Sequence, residues 1–163
     1  MPRLISGAVL LAAVVGALWF LAPIYLLAIA IVVALLAFRE YAALAERTGV
    51  RVSRPAGATA VVLITMSVGM PGLPIEAALA GTTLGLAALV LSDAMTNTRQ
   101  DSAALQSVGI SVFAPMYIGV PLGLLSLTRW TLGREATLLL ILTVAISDTF
   151  QYYSGRTFGR HLA

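Results

Sequence analysis

Long apolar runs follow one another along almost the whole chain, separated only by short polar breaks, and this pattern leaves few solvents in which the chain could fold. Hydrophobic residues make up 60% of its 163 positions and charged residues 10%. A soluble domain carries roughly 25% charged residues, because its surface has to be covered by groups that water accepts. The apolar surplus here has no polar domain beside it, so a soluble fold with one anchor is excluded. A bilayer core is about 30 Å thick and takes about 20 apolar residues per helical crossing. The runs Leu4 to Ala22, Ile24 to Phe38, Ala56 to Met70, Ile75 to Leu91, Ala103 to Leu127 and a last one beginning at Ala136 predict six crossings. The expectation is an all-α, polytopic integral membrane protein with helices near 4–22, 24–38, 56–70, 75–91, 103–127 and 136–155, forming one membrane domain.

The breaks between the runs carry local signals. Pro23 turns the first run into the second, and Trp19 and Phe20 lie where aromatic rings prefer the interface. The segment from Arg39 to Arg54 reads as a polar loop with a short surface helix around Tyr41, Leu44 and Ala45, ending near Gly49. Pro115 and Pro121 interrupt the fifth run, and a proline within a membrane helix kinks it. Glu76 and Glu135 head their helices, where a carboxylate complements the positive end of the dipole. Asp93 and Asp101 flank Arg99 as solvated loop charges.

Arginine placement orients the chain. All ten basic residues are Arg; six crossings put eight (Arg3, Arg39, Arg47, Arg51, Arg54, Arg99, Arg156, Arg160) on one side and two (Arg129, Arg134) on the other. The side rich in Arg is cytoplasmic, so both ends are expected there. The net charge of +3 is too small and too scattered for a nucleic-acid footprint. With no Cys, disulfide and thiolate chemistry are absent, and one His does not make a zinc site.

The last run is where chemistry concentrates. After a stretch of mostly apolar residues it places Ser147, Asp148, Thr149, Gln151, Tyr152 and Tyr153 almost in sequence. A carboxylate at the centre of a membrane helix costs about 2.5–3.5 kcal/mol on insertion scales, so Asp148 is expected to face protein or a watery cavity. Helical spacing brings Gln151 and Tyr152 to its face, with Arg156 two turns along. Such a stripe suits a phosphorylated headgroup: a carboxylate can hold Mg²⁺ alongside substrate phosphates, and Arg grips phosphate through paired donors. The residues alone fit equally well a structural anchor in which Asp148 pairs with Arg156 or Arg160. An ion site in a small transporter or lipid-binding protein is another reading, although it calls for inverted repeats that the chain does not show.

The segment Ser147-Asp148-Thr149, Tyr152, Gly155-Arg156 and Phe158-Gly159-Arg160-His161 resembles the bacterial phosphatidate cytidylyltransferases, or CDP-diacylglycerol synthases. The opening Arg3-Leu4-Ile5-Ser6-Gly7 and the triplet Arg39-Glu40-Tyr41 are similar to that family's other signatures, in order and at suitable spacing. Phe150 and Gln151 depart from it, standing where small residues are usual. The resemblance implies transfer of a cytidylyl group from CTP to phosphatidate in phospholipid biosynthesis, with Mg²⁺, in the inner (plasma) membrane. Asp148 would be the catalytic and metal-holding carboxylate, Arg156 and Arg160 would bind phosphate, and Tyr152 would orient Asp148. Glu40 corresponds to a retained acid of the family, and His161 to its closing His. The related polyprenol and phytol kinases are a runner-up that the Arg3–Gly7 and Phe158–His161 segments disfavour. The family's enzyme continues beyond the part that Ala163 corresponds to, into further metal- and nucleotide-binding elements. A chain ending there is expected to be inactive by itself and prone to self-association, for example as a homodimer.

The topology has a direct check. Alkaline phosphatase fused after Gly72 should be active, reporting an outward loop, and fused after Arg99 it should be inactive; the reverse pair would overturn the orientation.

Overall fold

A computed structural model describes residues 14–16, 19–50, 52–96 and 109–158. Those residues are helical and contain no strand. The helices are α1 (Pro23–Arg47), α2 (Arg54–Gly69), α3 (Ile75–Thr96), α4 (Gly109–Thr131) and α5 (Gly133–Phe158). Three of them, α1, α4 and α5, are long and apolar enough to cross a membrane. Most of the expected first helix, and the first residues of the expected fifth, lie outside the described residues.

Helix α1 differs from the expectation in an instructive way. It does not stop at Phe38 but continues unbroken through Arg39, Glu40 and Tyr41 to Arg47, so the separate surface helix does not exist. Polarity changes at Arg39, but helix propensity does not: Ala, Leu, Glu and Arg are all strong helix formers. The stop comes at Gly49, whose φ of 84° is the left-handed conformation that glycine adopts without steric cost. At the other end Pro23 occupies the first turn, where its missing N–H is not needed. Twenty-five residues make a rod of about 37 Å, longer than the hydrocarbon core, so the polar end can emerge from it. Glu46 in that last turn accepts two hydrogen bonds from Arg54, at 2.9 Å from Nε and 2.6 Å from Nη2. This fork ties the end of α1 to the start of α2.

The chain falls into two compact units, 21–131 and the pairing of 1–20 with 132–163. In the first, α2 is the central helix and packs against α1, α3 and α4. Its buried residues Gly57, Ala60, Val61, Ile64, Thr65, Val68 and Gly69 fall on one broad face of about half the circumference, wide enough to meet more than one neighbour. Helix α1 instead buries a single stripe, Leu27, Ala30, Ala34, Phe38, Ala42 and Ala45. Close approach is achieved by glycine. The Phe38 ring occupies the space a side chain at Gly57 would need, and a Cβ at Gly123 of α4 would lie 2.7 Å from Val68 Cβ. Small residues let membrane helices gain dispersion contacts where no hydrophobic force separates protein from lipid.

Helix α4 carries the expected proline disturbance in a specific form. Pro115–Gly119 is a π-helical stretch, followed by regular helix over Val120–Thr131. Pro115 brings no N–H to the carbonyl one turn back, and a widened turn accommodates that loss. Just before it, the Ile110 carbonyl accepts a hydrogen bond from the Tyr41 hydroxyl at 2.9 Å, linking α4 to α1. Helix α3 runs on past Leu91 to Thr96 with Glu76 in its first turn. In the second unit, α5 follows Leu132 through Gly133 (φ 86°), and the Arg134 guanidinium lies 5.3 Å from the Trp19 ring centroid, a cation–π contact. Glu135 lies in the first turn of α5, as its place at the head of the helix predicts, and Arg134 stands beside it.

Replacing Gly123 by Ala should force α4 away from α2 and cost about 1–3 kcal/mol, seen as a lower unfolding temperature in detergent. Gly81→Ala, with open space beside it, should leave that temperature unchanged or raised. Equal melting of the two variants would contradict the packing described.

Candidate functional site

Helix α5 begins at a glycine turn, carries Glu135 and Arg134 in its first turn, and runs to Phe158 with Arg156 in its last turn. Between them, its apolar residues give way to polar ones at Ser147. The helix is continuous through this change, and its hydroxyl side chains bond back to their own backbone. Thr143 donates to the Leu139 carbonyl at 2.8 Å and Thr149 to the Ala145 carbonyl at 2.7 Å. Those groups are therefore satisfied locally and leave the other polar side chains to face outward.

Asp148, Gln151, Tyr152 and Arg156 are all exposed on α5. At 100° per residue, Tyr152 lies about 40° from Asp148, Gln151 about 60° to the other side and Arg156 about 80° away. They form one broad stripe, as their spacing predicts. Gln151 is fixed by its Nε2, which donates to Ser147 Oγ at 3.2 Å one turn earlier. The Tyr152 ring meets Tyr153 edge-on, with centroids 5.5 Å apart and planes at 80°. Tyr152 is not hydrogen-bonded to Asp148 among the described residues.

Asp148 and Arg156 are separated by eight residues, a rise of about 12 Å along the axis. Among the described residues the carboxylate has no ion-pair partner; the one ion pair there is Glu46 with Arg54. Asp148 is thus not anchored to Arg156 as a structural pair. Arg160 and His161, the remaining members of the C-terminal signature, lie outside the described residues, as do Arg3 to Gly7. Glu40 is exposed on α1.

No group of three or more His, Cys, Asp or Glu capable of holding a metal occurs among the described residues. A metal bound at Asp148 would therefore draw fewer than three such ligands from the described residues of this chain. Mg²⁺ is commonly held by one or two carboxylates with substrate phosphates and water completing its octahedron. So few ligands do not suit a structural zinc site, which needs four protein ligands.

These features define a helical integral membrane protein that presents a carboxylate, an amide, a phenol and a guanidinium on one face of an otherwise apolar helix. The chain belongs to the cytidylyltransferase family, which it matches over residues 1–163. Membership implies a nucleotidyltransferase chemistry that uses CTP. No curated protein and no solved structure matches the chain.

The stripe can be mapped without background, since the chain contains no cysteine. In intact membranes, Cys at 148 or 151 should react with a water-borne thiosulfonate reagent, whereas Cys in place of Leu139 or Val144 should not. Equal protection of all four positions would mean that no watery path reaches Asp148.

Proposed function

We propose that the protein is a phosphatidate cytidylyltransferase of the inner (plasma) membrane, converting CTP and phosphatidate to CDP-diacylglycerol and pyrophosphate. The observation that carries this reading is the coincidence of the family match with an exposed polar stripe running from Asp148 to Arg156 on α5. The substrate must have a reactive phosphate at the membrane surface and acyl chains within it. A helix that changes from apolar to polar along its length offers both environments at once.

The proposed topology has six crossings with both termini cytoplasmic, supported by the eight-to-two division of Arg. Asp148 lies fifteen residues into α5, about 22 Å from Gly133, and Arg156 about 34 Å. Across a core of about 30 Å, the carboxylate sits beneath the inner surface and the guanidinium at headgroup level. In this arrangement Arg156, with Arg160, receives phosphate through paired donors. Asp148 would hold Mg²⁺, which when bound neutralises charge on the triphosphate. Gln151 offers the same face an amide that can donate or accept, and its bond to Ser147 limits its rotation.

The reaction joins a phosphatidate phosphate oxygen to the α-phosphorus of CTP, and the bond from that phosphorus to the β-phosphate bridging oxygen breaks, so pyrophosphate leaves with the electron pair. No covalent protein intermediate is required. The chain's contribution is to hold two anions together and in line, the main source of acceleration in phosphoryl and nucleotidyl transfer.

Membranes containing the longest product of this reading frame should convert labelled CTP and phosphatidate to a CDP-lipid in the presence of Mg²⁺. Asp148→Asn should lower the rate on the order of 10²-fold, the scale of losing one transition-state contact. Arg156→Lys keeps the charge but loses the fork, and should mainly raise the KM for the lipid. Full activity of Asp148→Asn, or a labelled lipid formed equally well without phosphatidate, would overturn the assignment.

A further inference from the structure

A serine or threonine hydroxyl inside a helix can bond back to a carbonyl of the preceding turn. Thr65 does so to Val61, Thr128 to Leu124 and Thr137 to Gly133. Two serines of α4 do not. The Ser111 and Ser126 hydroxyl oxygens are buried without a hydrogen-bond partner. Burying an unpaired hydroxyl is costly, and folded proteins seldom leave one without a protein group or an ordered water.

The two differ in what lies beside them. Ser126 stands in regular helix, close against Gly69 of α2, with no proline one turn ahead of it. Ser111 stands one turn before Pro115, so the N–H that its carbonyl would accept in an α-helix does not exist. Its hydroxyl has no partner, and its carbonyl lacks the ordinary one. A third polar group lies next to them, the Tyr41 hydroxyl, which donates to the neighbouring Ile110 carbonyl at 2.9 Å. The proton of that phenol is used there, but its oxygen can still accept. Ser111 is 3% exposed. It shares a face of α4 with Ala114 and Ile118, which are buried in one cluster with Ala34, Phe38 and Ala42 of α1, so protein covers it.

We infer that a buried water molecule binds at this turn, accepting from the Ser111 hydroxyl and donating to the Ser111 carbonyl and the Tyr41 oxygen. About three hydrogen bonds are what a buried water makes, and one donor with two acceptors is a set that water completes. Ser111 Oγ has no direct partner, so the Tyr41 oxygen lies beyond its own reach, as a bridged pair does. The π-helical stretch Pro115–Gly119 widens the turn that follows, and a proline-disturbed turn is where a membrane helix admits water. Access is short. Ser111 lies two residues, about 3 Å, from the start of α4, and Tyr41 lies two residues beyond Arg39 in the polar end of α1. The water joins α1 to α4 at the point where Pro115 weakens the ladder of α4 itself.

X-ray hydroxyl-radical footprinting of the full chain in lipid nanodiscs, read by mass spectrometry, tests this. Radiolysis turns a bound water into a radical beside the side chains it touches, so residues next to ordered water are oxidised in spite of burial. Tyr41 should be oxidised several-fold faster than Phe38, which is buried three residues earlier with its ring against Gly57. Ser111→Ala removes one hydrogen-bonding atom and little volume. It should lower the oxidation of Tyr41 several-fold and leave that of Tyr25, exposed near the start of α1, unchanged. Thermal unfolding in detergent gives a second reading. Tyr41→Phe and Ser111→Ala should each lower the unfolding temperature, and the double variant should melt close to the less stable single one, since both remove the same bridge. Oxidation of Tyr41 no faster than that of Phe38, or unaffected by Ser111→Ala, would overturn the water. Additive shifts in unfolding temperature would overturn the bridge between α1 and α4. Neither readout depends on cytidylyl transfer.

Discussion

A bilayer core offers no hydrogen-bond partner to a polypeptide, and the architecture of this protein follows from that one deficiency. Every peptide group inside it must find a partner within the protein, which for a chain of this pattern means helix. The same rule reaches the side chains. Threonines close onto the preceding turn, Tyr41 reaches across to a carbonyl of α4 beside a proline-disturbed turn, and Asp148, Gln151, Tyr152 and Arg156 share one exposed face of α5. Polar groups are few here, and each has to be accounted for.

Packing in the unit formed by residues 21–131 answers a second constraint. Lipid is as apolar as leucine, so burying leucine against leucine gains little over leaving it in lipid, and cohesion depends on fit. The central helix α2 is accordingly lined with small and β-branched residues, and glycines at 57 and 123 take the Phe38 ring and the Val68 side chain where a larger residue could not. The large exposed residues, Val32, Leu36 and Leu84 among them, are left for the surroundings. That is the reverse of a soluble core, in which bulk is inside.

Function draws on the same economy. A carboxylate in an apolar helix is retained against its insertion cost only where something polar meets it, and Asp148 has no ion-pair partner among the described residues. Its separation from Arg156 along the helix axis suits a substrate with charge at more than one depth. The cytidylyltransferase chemistry of the family supplies such charge in the triphosphate of CTP.

Residue order alone determined a great deal. The apolar runs set the solvent and the helical class, the stripe Asp148, Gln151, Tyr152 and Arg156 follows from helical period, and the family was legible in short signatures such as Ser147-Asp148-Thr149 with Gly155-Arg156. What it could not set were the helix ends. Hydropathy marks where a bilayer ends, but a helix ends where the backbone turns, and so α1 runs past Arg39 to Arg47 before Gly49 breaks it. Only the tertiary structure decided which long-range partners meet: Tyr41 with the Ile110 carbonyl, Glu46 with Arg54, and Phe38 against Gly57. Those pairings depend on how helices far apart in sequence lie against one another, and periodicity within a single helix carries no information about its neighbours.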